Sequence, residues 1–385
     1  MNVVKMQVVT KQIRGVSYKP TDLHDSLNSS SVILLRANNI DDGKINFDDV
    51  VYVDKSKVSK DQYLKKGDIL ICASSGSKQL VGKAASFDFD KECTFGAFCK
   101  VVRPDENVAD YIGKYFQSVK YRSIISNVAI GANINNIRNE HIDSLELPMY
   151  STEKANDIVH LLSKVQSIIE YRKQELSNLD DLIKARFVEM FGNGKHPVKK
   201  VEEVCSDIAD CPHTTPKYDG ELLNPAIRTS EIKKGYITWD TMRYVSNDEY
   251  QERVKRLAPE AGDIVYGREG TIGNAAVLPE GHKFCLGQRV MLLRPDYNQC
   301  SSEYLLHAVI SDDVYRQVMM KNNASTVAHV NVKDVKAFLV PVPSKELQEQ
   351  FTDFVKQVDK SKVAVQKALD KTQLLFDSLM QKYFG

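Results

Sequence analysis

Two stretches of this chain set apolar residues at alternating four- and three-residue intervals. The first, 152–190, contains no Gly or Pro and lines up Ile158, Leu162, Val165, Ile169, Leu176, Leu179 and Ile183 on one stripe. The second, 345–384, carries Phe351, Val355, Val358, Val365, Leu369, Phe376 and Leu379 on the equivalent stripe, 193 residues further on. A 3.5-residue period held over more than four heptads predicts long helices with a coiled-coil-like seam. Ser151 and Ser344 stand where their N-caps are expected. Elsewhere, short apolar runs broken by Gly, Asp, Asn and Pro predict many short strands, with helices over 111–125 and 303–321. Two matched helices of this length predict an antiparallel pair. The other reading of each stripe is an amphipathic helix lying on its own domain.

The globular stretches repeat as well. ILLRANNIDDGKINFDDVVYVD (33–54) aligns without gaps on PAIRTSEIKKGYITWDTMRYVS (225–246), Arg36 meeting Arg228 and Gly43 meeting Gly235. KKGDILICASSG (65–76) answers EAGDIVYGREG (260–270), and VGKAA (81–85) answers IGNAA (272–276). VVRP (101–104) answers LLRP (292–295), and LPMYS (147–151) answers VPVPS (340–344). One half of the chain is a diverged copy of the other. The expected fold is therefore α+β with a pseudo-two-fold internal repeat: two similar mixed α/β globular domains, 1–150 and 193–343, separated by two long antiparallel helices, 151–192 and 344–385. A duplicated head on a stiff spacer suits two sites at a fixed distance, such as groove faces about 34 Å apart on a duplex.

Composition narrows the class. At 385 residues the chain exceeds one ordinary core, and 42% hydrophobic with 27% charged residues is a globular balance. A net charge of +1 gives no global basic footprint, so any nucleic-acid contact rests on a local face or on partners. Seven scattered cysteines without a CxxC pair argue against a disulfide framework or cysteine zinc site and point to a reducing cytoplasm. No apolar run approaches about 18 residues, and MNVVKMQVVTKQ lacks a signal-peptide core, so no membrane association is expected.

The motifs carry a resemblance. LRANNIDDGKI (35–45), IRTSEIKKGYI (227–237), DCPHTTPKYDG (210–220), GREGTIGNAAVLPEG (267–281) and VPVPSKELQEQ (340–350) resemble the specificity subunit of type I restriction-modification enzymes, over the whole chain and in the same order. One departure is YSTEKANDI (150–158), which lacks the Pro-rich, Glu-Gln helix start seen in PVPSKELQEQ. The resemblance implies target-recognition domains that each read one half of a bipartite, asymmetric double-stranded DNA site, with no catalysis in this chain. It also implies helices that set the spacing and dock partners. Those are modification subunits, methylating adenine N6 with S-adenosylmethionine, and restriction subunits, translocating and cleaving with ATP and Mg.

Base readers need forked donors and acceptors, and glycine loops let backbone approach phosphates. In the first domain this singles out Tyr18 and Lys19, then Ser74, Ser75, Lys78 and Gln79 after GDIL, and Asn133, Asn135 and Asn136 before the last strand. In the second it singles out His213, Thr214, Thr215 and Lys217, then Arg268, Glu269 and Thr271, with Asn322, Asn323 and His329 in the related place. Each of these also reads as an ordinary solvated turn. Arg36 and Arg228 suit a fold buttress as well as a phosphate contact.

Chemistry finds little foothold. GREGTIG leads into a short strand rather than a helix, and no GK[ST] exists, which argues against a nucleotide loop. NPAI (224–227) lacks the second Pro and the aromatic of an amino-methyltransferase motif. Asp219 with Glu231-Ile-Lys233 spells a nuclease-like pattern, yet the first copy has Asn39-Ile-Asp41 there. His213 beside Cys211 lacks a second ligand pair, so no metal site is expected. The rival class is a two-headed protein scaffold that reads no DNA. SSGSKQLVG and REGTIG differ in length and chemistry within matching frameworks, as two readers of different sequences should.

Overall fold

The computed structural model describes residues 2–77, 79–128, 135–219, 223–270, 272–321 and 330–385. These form two compact units, one of Met1–Lys173 with Lys367–Gly385 and the other of Gln174–Gln366. Each unit therefore owns one globular domain and a segment of both long helices.

The two domains share a plan. In the first, an antiparallel sheet runs in the order Ala84–Ser86, Ile69–Cys72, Cys99–Pro104, Thr10–Arg14. In the second the order is Ala275–Val277, Ile264–Gly267, Val290–Pro295, Cys205–Asp210. The central strands ILIC and IVYG are wholly buried, as continuous apolar runs demand. A second sheet in each domain pairs Cys93–Phe95 parallel to Ser31–Leu35, and Cys285–Leu286 parallel to Asn224–Ile227. NPAI is thus a buried strand, not a catalytic loop.

The repeated motifs have repeated physical jobs. In each Gly-Asp turn the glycine supplies the positive φ, +85° at Gly67 and +92° at Gly262. The aspartate accepts the turn amide three residues back, from Lys65 and Glu260, each at 2.8 Å. It also grips the arginine of VVRP or LLRP with both oxygens: Asp68 on Arg103 at 2.7 Å, Asp263 on Arg294 at 2.8 Å. The same guanidinium then donates to the carbonyl of Tyr63 or Ala258. Arg36 and Arg228 are likewise matched buttresses, each donating to a carbonyl thirteen residues on, Asp49 at 3.2 Å and Thr241 at 2.7 Å. Tyr111 and Tyr304 donate to the carbonyls of Pro148 and Pro341, at 2.7 and 2.5 Å.

The helices expected over 111–125 and 303–321 are each broken into two. They form Ala109–Tyr115 with Val119–Val128, and Ser302–Val309 with Asp312–Lys321. A serine restarts each one: Ser118 Oγ accepts from Tyr121 N at 3.2 Å and Ser311 Oγ from Val314 N at 3.4 Å. A hydroxyl that caps a new turn competes with continuation of the old one.

The long helices are Thr152–Phe191 and Lys345–Phe384, 40 residues each, or about 60 Å at 1.5 Å per residue. Ser151 Oγ accepts from Lys154 N at 3.3 Å, while Ser344 serves the second helix through its carbonyl, which accepts from Leu347 and Gln348. In the second unit Phe187 and Phe191 each lie 5.5 Å from Phe351, and Asp180 meets Lys362 at 2.6 Å. Positions that fall along one helix meet positions that rise along the other, so the segments run antiparallel. In the first unit Ile158 and Leu162 share a core with Met380 and Phe384. Of the seam, Ile158, Leu162, Val165, Ile169, Ile183, Phe351, Val355, Val358 and Val365 are buried, and Leu176, Leu179, Leu369, Phe376 and Leu379 are half-buried. Phe187, Phe191, Met380 and Phe384, off the four-three stripe, are buried too. A straight helix drifts about 20° per heptad from a 3.5-residue repeat, so near the domains the buried stripe slips onto these residues.

Candidate nucleic-acid interface

In the second domain three strand ends meet at one sheet edge, because Asp210 pairs with Met291 and Gly267 with Val290. The loops leaving that edge converge with residues 331–333 on a cleft of about 760 Å³. His213, Arg268 and Glu269 all line it, as do Gln288, Arg289 and Lys333. Inside, Arg268 Nη2 donates to Asp210 Oδ1 at 2.8 Å and Nη1 to the Val330 carbonyl at 3.4 Å. His213 Nε2 lies 3.3 Å from the other Asp210 oxygen. Glu269 takes Arg289 Nε at 2.7 Å. The candidate base reader Arg268 is thus buried, its terminal nitrogens taken by Asp210 and the Val330 carbonyl rather than by Glu269, and Arg289 is the exposed arginine of the cleft. Arg268→Ala should accordingly lower the stability of this domain by about 1–3 kcal/mol, read by urea denaturation. Thr214, Thr215 and Lys217 are exposed on the neighbouring loop, where the Thr214 carbonyl accepts from Arg253 at 3.3 Å.

The first domain uses the same edge. Arg14 pairs with Lys100 and Cys72 with Cys99. The loop after Cys72 returns as a short strand in which Ser74 and Ser75 pair with Asn136 and Asn135. Lys100 holds that return, with Nζ donating to Asn139 Oδ1 at 2.6 Å and to the Ile137 carbonyl at 3.3 Å. Burial pushes this ammonium below the usual lysine range. Tyr18 is half-buried against Gly96, where an added Cβ would sit 3.5 Å from its ring. Lys19 and Gln79 are exposed; Lys19 N donates to Asp22 at 2.8 Å, and the Gln79 carbonyl accepts from Arg122 at 3.0 Å. Lys78, Asn133, Thr271, Asn322, Asn323 and His329 lie outside the described residues.

Sequence reasoning missed the turn before the last sheet strand, Phe98 in one domain and Gln288-Arg289 in the other. Its signal was available: Gly96 and Gly287 align, and the residues between each glycine and VVRP or LLRP differ.

Glu231 is fully buried and bound by Arg228, Ser230 and Thr241, so the nuclease-like triplet is a structural knot. Cys211 Sγ accepts from Arg289 N at 3.1 Å. Among the described residues no group of three or more His, Cys, Asp and Glu could hold a metal, and no helix is long and apolar enough to cross a membrane.

A family model described as the type I restriction modification DNA specificity domain matches the chain twice, over residues 26–180 and 217–373. The chain belongs to this family. Each match runs from a globular domain into its following long helix, so the family's unit is the internal repeat itself. The type I restriction enzyme EcoKI specificity subunit of Escherichia coli K12 is 27% identical over 410 residues, covering 99% of this chain and 88% of that protein. The StySPI specificity subunit of Salmonella potsdam is 36% identical over 180 residues, 46% of this chain and 39% of its own length. Among solved structures, a chain from work on complex assembly and conformational transition of the type I R-M system aligns with a TM-score of 0.59. It is 15% identical, with 100% of this chain and 97% of that one covered. Specificity subunits of such systems are non-catalytic; catalysis lies in their partner subunits.

Proposed function

We propose that this chain is the DNA-reading subunit of a type I restriction-modification complex, each domain reading one half of a bipartite, asymmetric duplex site. The long helices set the gap between the halves and dock the modification and restriction subunits. Those partners bring S-adenosylmethionine, ATP and Mg, and the complex works in the cytoplasm. One observation carries the reading: a single framework is built twice, down to its arginine-aspartate grips, yet the turns on the same sheet edge differ in chemistry. A scaffold for two like partners would keep those turns alike. Docking is supported by the apolar side chains the helices leave exposed, among them Leu161, Ile168, Tyr171 and Leu182 on the first and Val363, Leu374 and Leu375 on the second.

Single-molecule sequencing of cells expressing the chain with its modification partner tests this. Modified adenines should fall in two specified blocks separated by a fixed, unspecified gap. Modification at one contiguous block, or none that depends on this chain, would overturn the reading. Duplex retention that ignores salt would favour the scaffold.

A further inference from the structure

We infer that the residue at the tip of the turn before the last sheet strand, Phe98 in the first domain and Arg289 in the second, determines specificity in its half-site. This deepens the proposed function and rests on it.

The two residues occupy one place in the framework. Each follows a glycine whose amide reaches the neighbouring sheet: Gly96 N to the Leu35 carbonyl at 2.9 Å, Gly287 N to the Ile227 carbonyl at 2.7 Å. Gly287 leaves no room for a side chain, since a Cβ would stand 2.7 Å from the Ile227 oxygen, and one on Gly96 would press on Leu34 at 3.3 Å. Each tip residue then offers its carbonyl to the first amide of the loop after the central strand, Ala73 N to Phe98 O and Arg268 N to Arg289 O, both at 2.9 Å. The backbone is thereby held from two sides, while the side chains stand out, Phe98 70% and Arg289 63% exposed.

What differs is the chemistry presented and, at the tip itself, the backbone, which is left-handed at Arg289 and not at Phe98. Arg289 sits at φ +67°, a conformation side chains rarely adopt, and Cys211 Sγ secures its amide there. Backbone strain held by surrounding contacts collects at functional positions. Glu269 grips Arg289 by Nε, which orients a guanidinium while its terminal nitrogens address a second acceptor, and guanine presents two in the major groove. Phe98 offers a flat apolar face beside the polar pairing of Ser74 and Ser75 with Asn136 and Asn135. An exposed phenyl there makes no use of water, but it matches a thymine methyl in the same groove. One position in a rigid frame thus carries two different letters.

The test is binding selection of the full chain, in complex with its modification subunit, from duplexes randomised in both half-sites. In Arg289→Ala, enrichment for one G·C pair in one half should fall roughly ten-fold or more, the scale of a lost bidentate contact. Arg289→Lys should keep affinity yet lose the same letter, because an ammonium lacks the fork. Phe98→Ala should lose preference for one A·T pair in the other half. In each variant the remaining letters of the same half-site report that the mutated domain is folded, and the other half reports on its own unit. Wild-type preferences retained in both halves of all variants would overturn this inference alone, as would an even loss of affinity with preferences intact. A wild type that selects no sequence would overturn the proposed function and this inference with it.

Discussion

Asp263→Ala should destabilise the second domain by about 3–5 kcal/mol, the cost of breaking a buried ion pair from one side. The carboxylate is 3% exposed and takes Arg294 through both oxygens at 2.8 Å, so its removal leaves a guanidinium that is itself only 17% exposed with the Ala258 carbonyl and the exposed Glu260 carboxylate at 3.5 Å. One of these oxygens, Oδ2, also accepts the amide of Glu260 at 2.8 Å and so closes the turn at Gly262. Three contacts are lost at once. Against a typical domain stability of about 5–15 kcal/mol, that is a large fraction. Asp68→Ala should do the same to the first domain through Arg103. Urea denaturation of the full chain, followed by hydrogen exchange in each domain, should show protection falling in one domain per variant. Equal protection in wild type and both variants would contradict the account.

The second large effect concerns the helices. Removing Tyr171–Ser177 together with Ala364–Asp370 takes one heptad from each helix and spares the buried anchors Ile158, Leu162, Phe351 and Val355. The register that sets Phe187 and Phe191 against Phe351 and Asp180 against Lys362, carried along both helices, puts these two heptads opposite each other. The spacer should shorten by about 10 Å at 1.5 Å per residue. The selected gap between half-sites should then contract by about three base pairs, or binding should fail, while each domain keeps its own half-site. An unchanged gap in the selected duplexes would sink the spacer role.

Much of this architecture was legible because it is written twice. Matching segments align Asp68 with Asp263 and Arg103 with Arg294 in the sequence alone, and a stripe that persists over many turns leaves few alternatives to a helix. What escaped were features settled by partners distant in sequence or by small departures from regularity. Asp210, the partner of Arg268, lies 58 residues away, beyond any local pattern. Ser118 and Ser311 are compatible with a helix surface, so the breaks they cap left no gap in the apolar stripe. Phe187 and Phe191 fell off an idealised 3.5-residue ladder that a real helix does not follow. At the candidate interface the difficulty was of another kind: repeats reveal what two copies share, and Phe98 and Arg289 sit where they disagree.

The interleaved make-up of the two units bears on how the protein is born. Gln174–Gln366 is one uninterrupted run and has every strand and helix segment of its core once residue 366 has left the ribosome. The unit begun first has no such freedom, since Met380 and Phe384 complete the core around Ile158 and Leu162. Vectorial synthesis ordinarily lets N-terminal domains finish first. Here the order is inverted: the domain translated first is sealed last, and until then its nascent core offers the apolar seam to chaperones or to another chain.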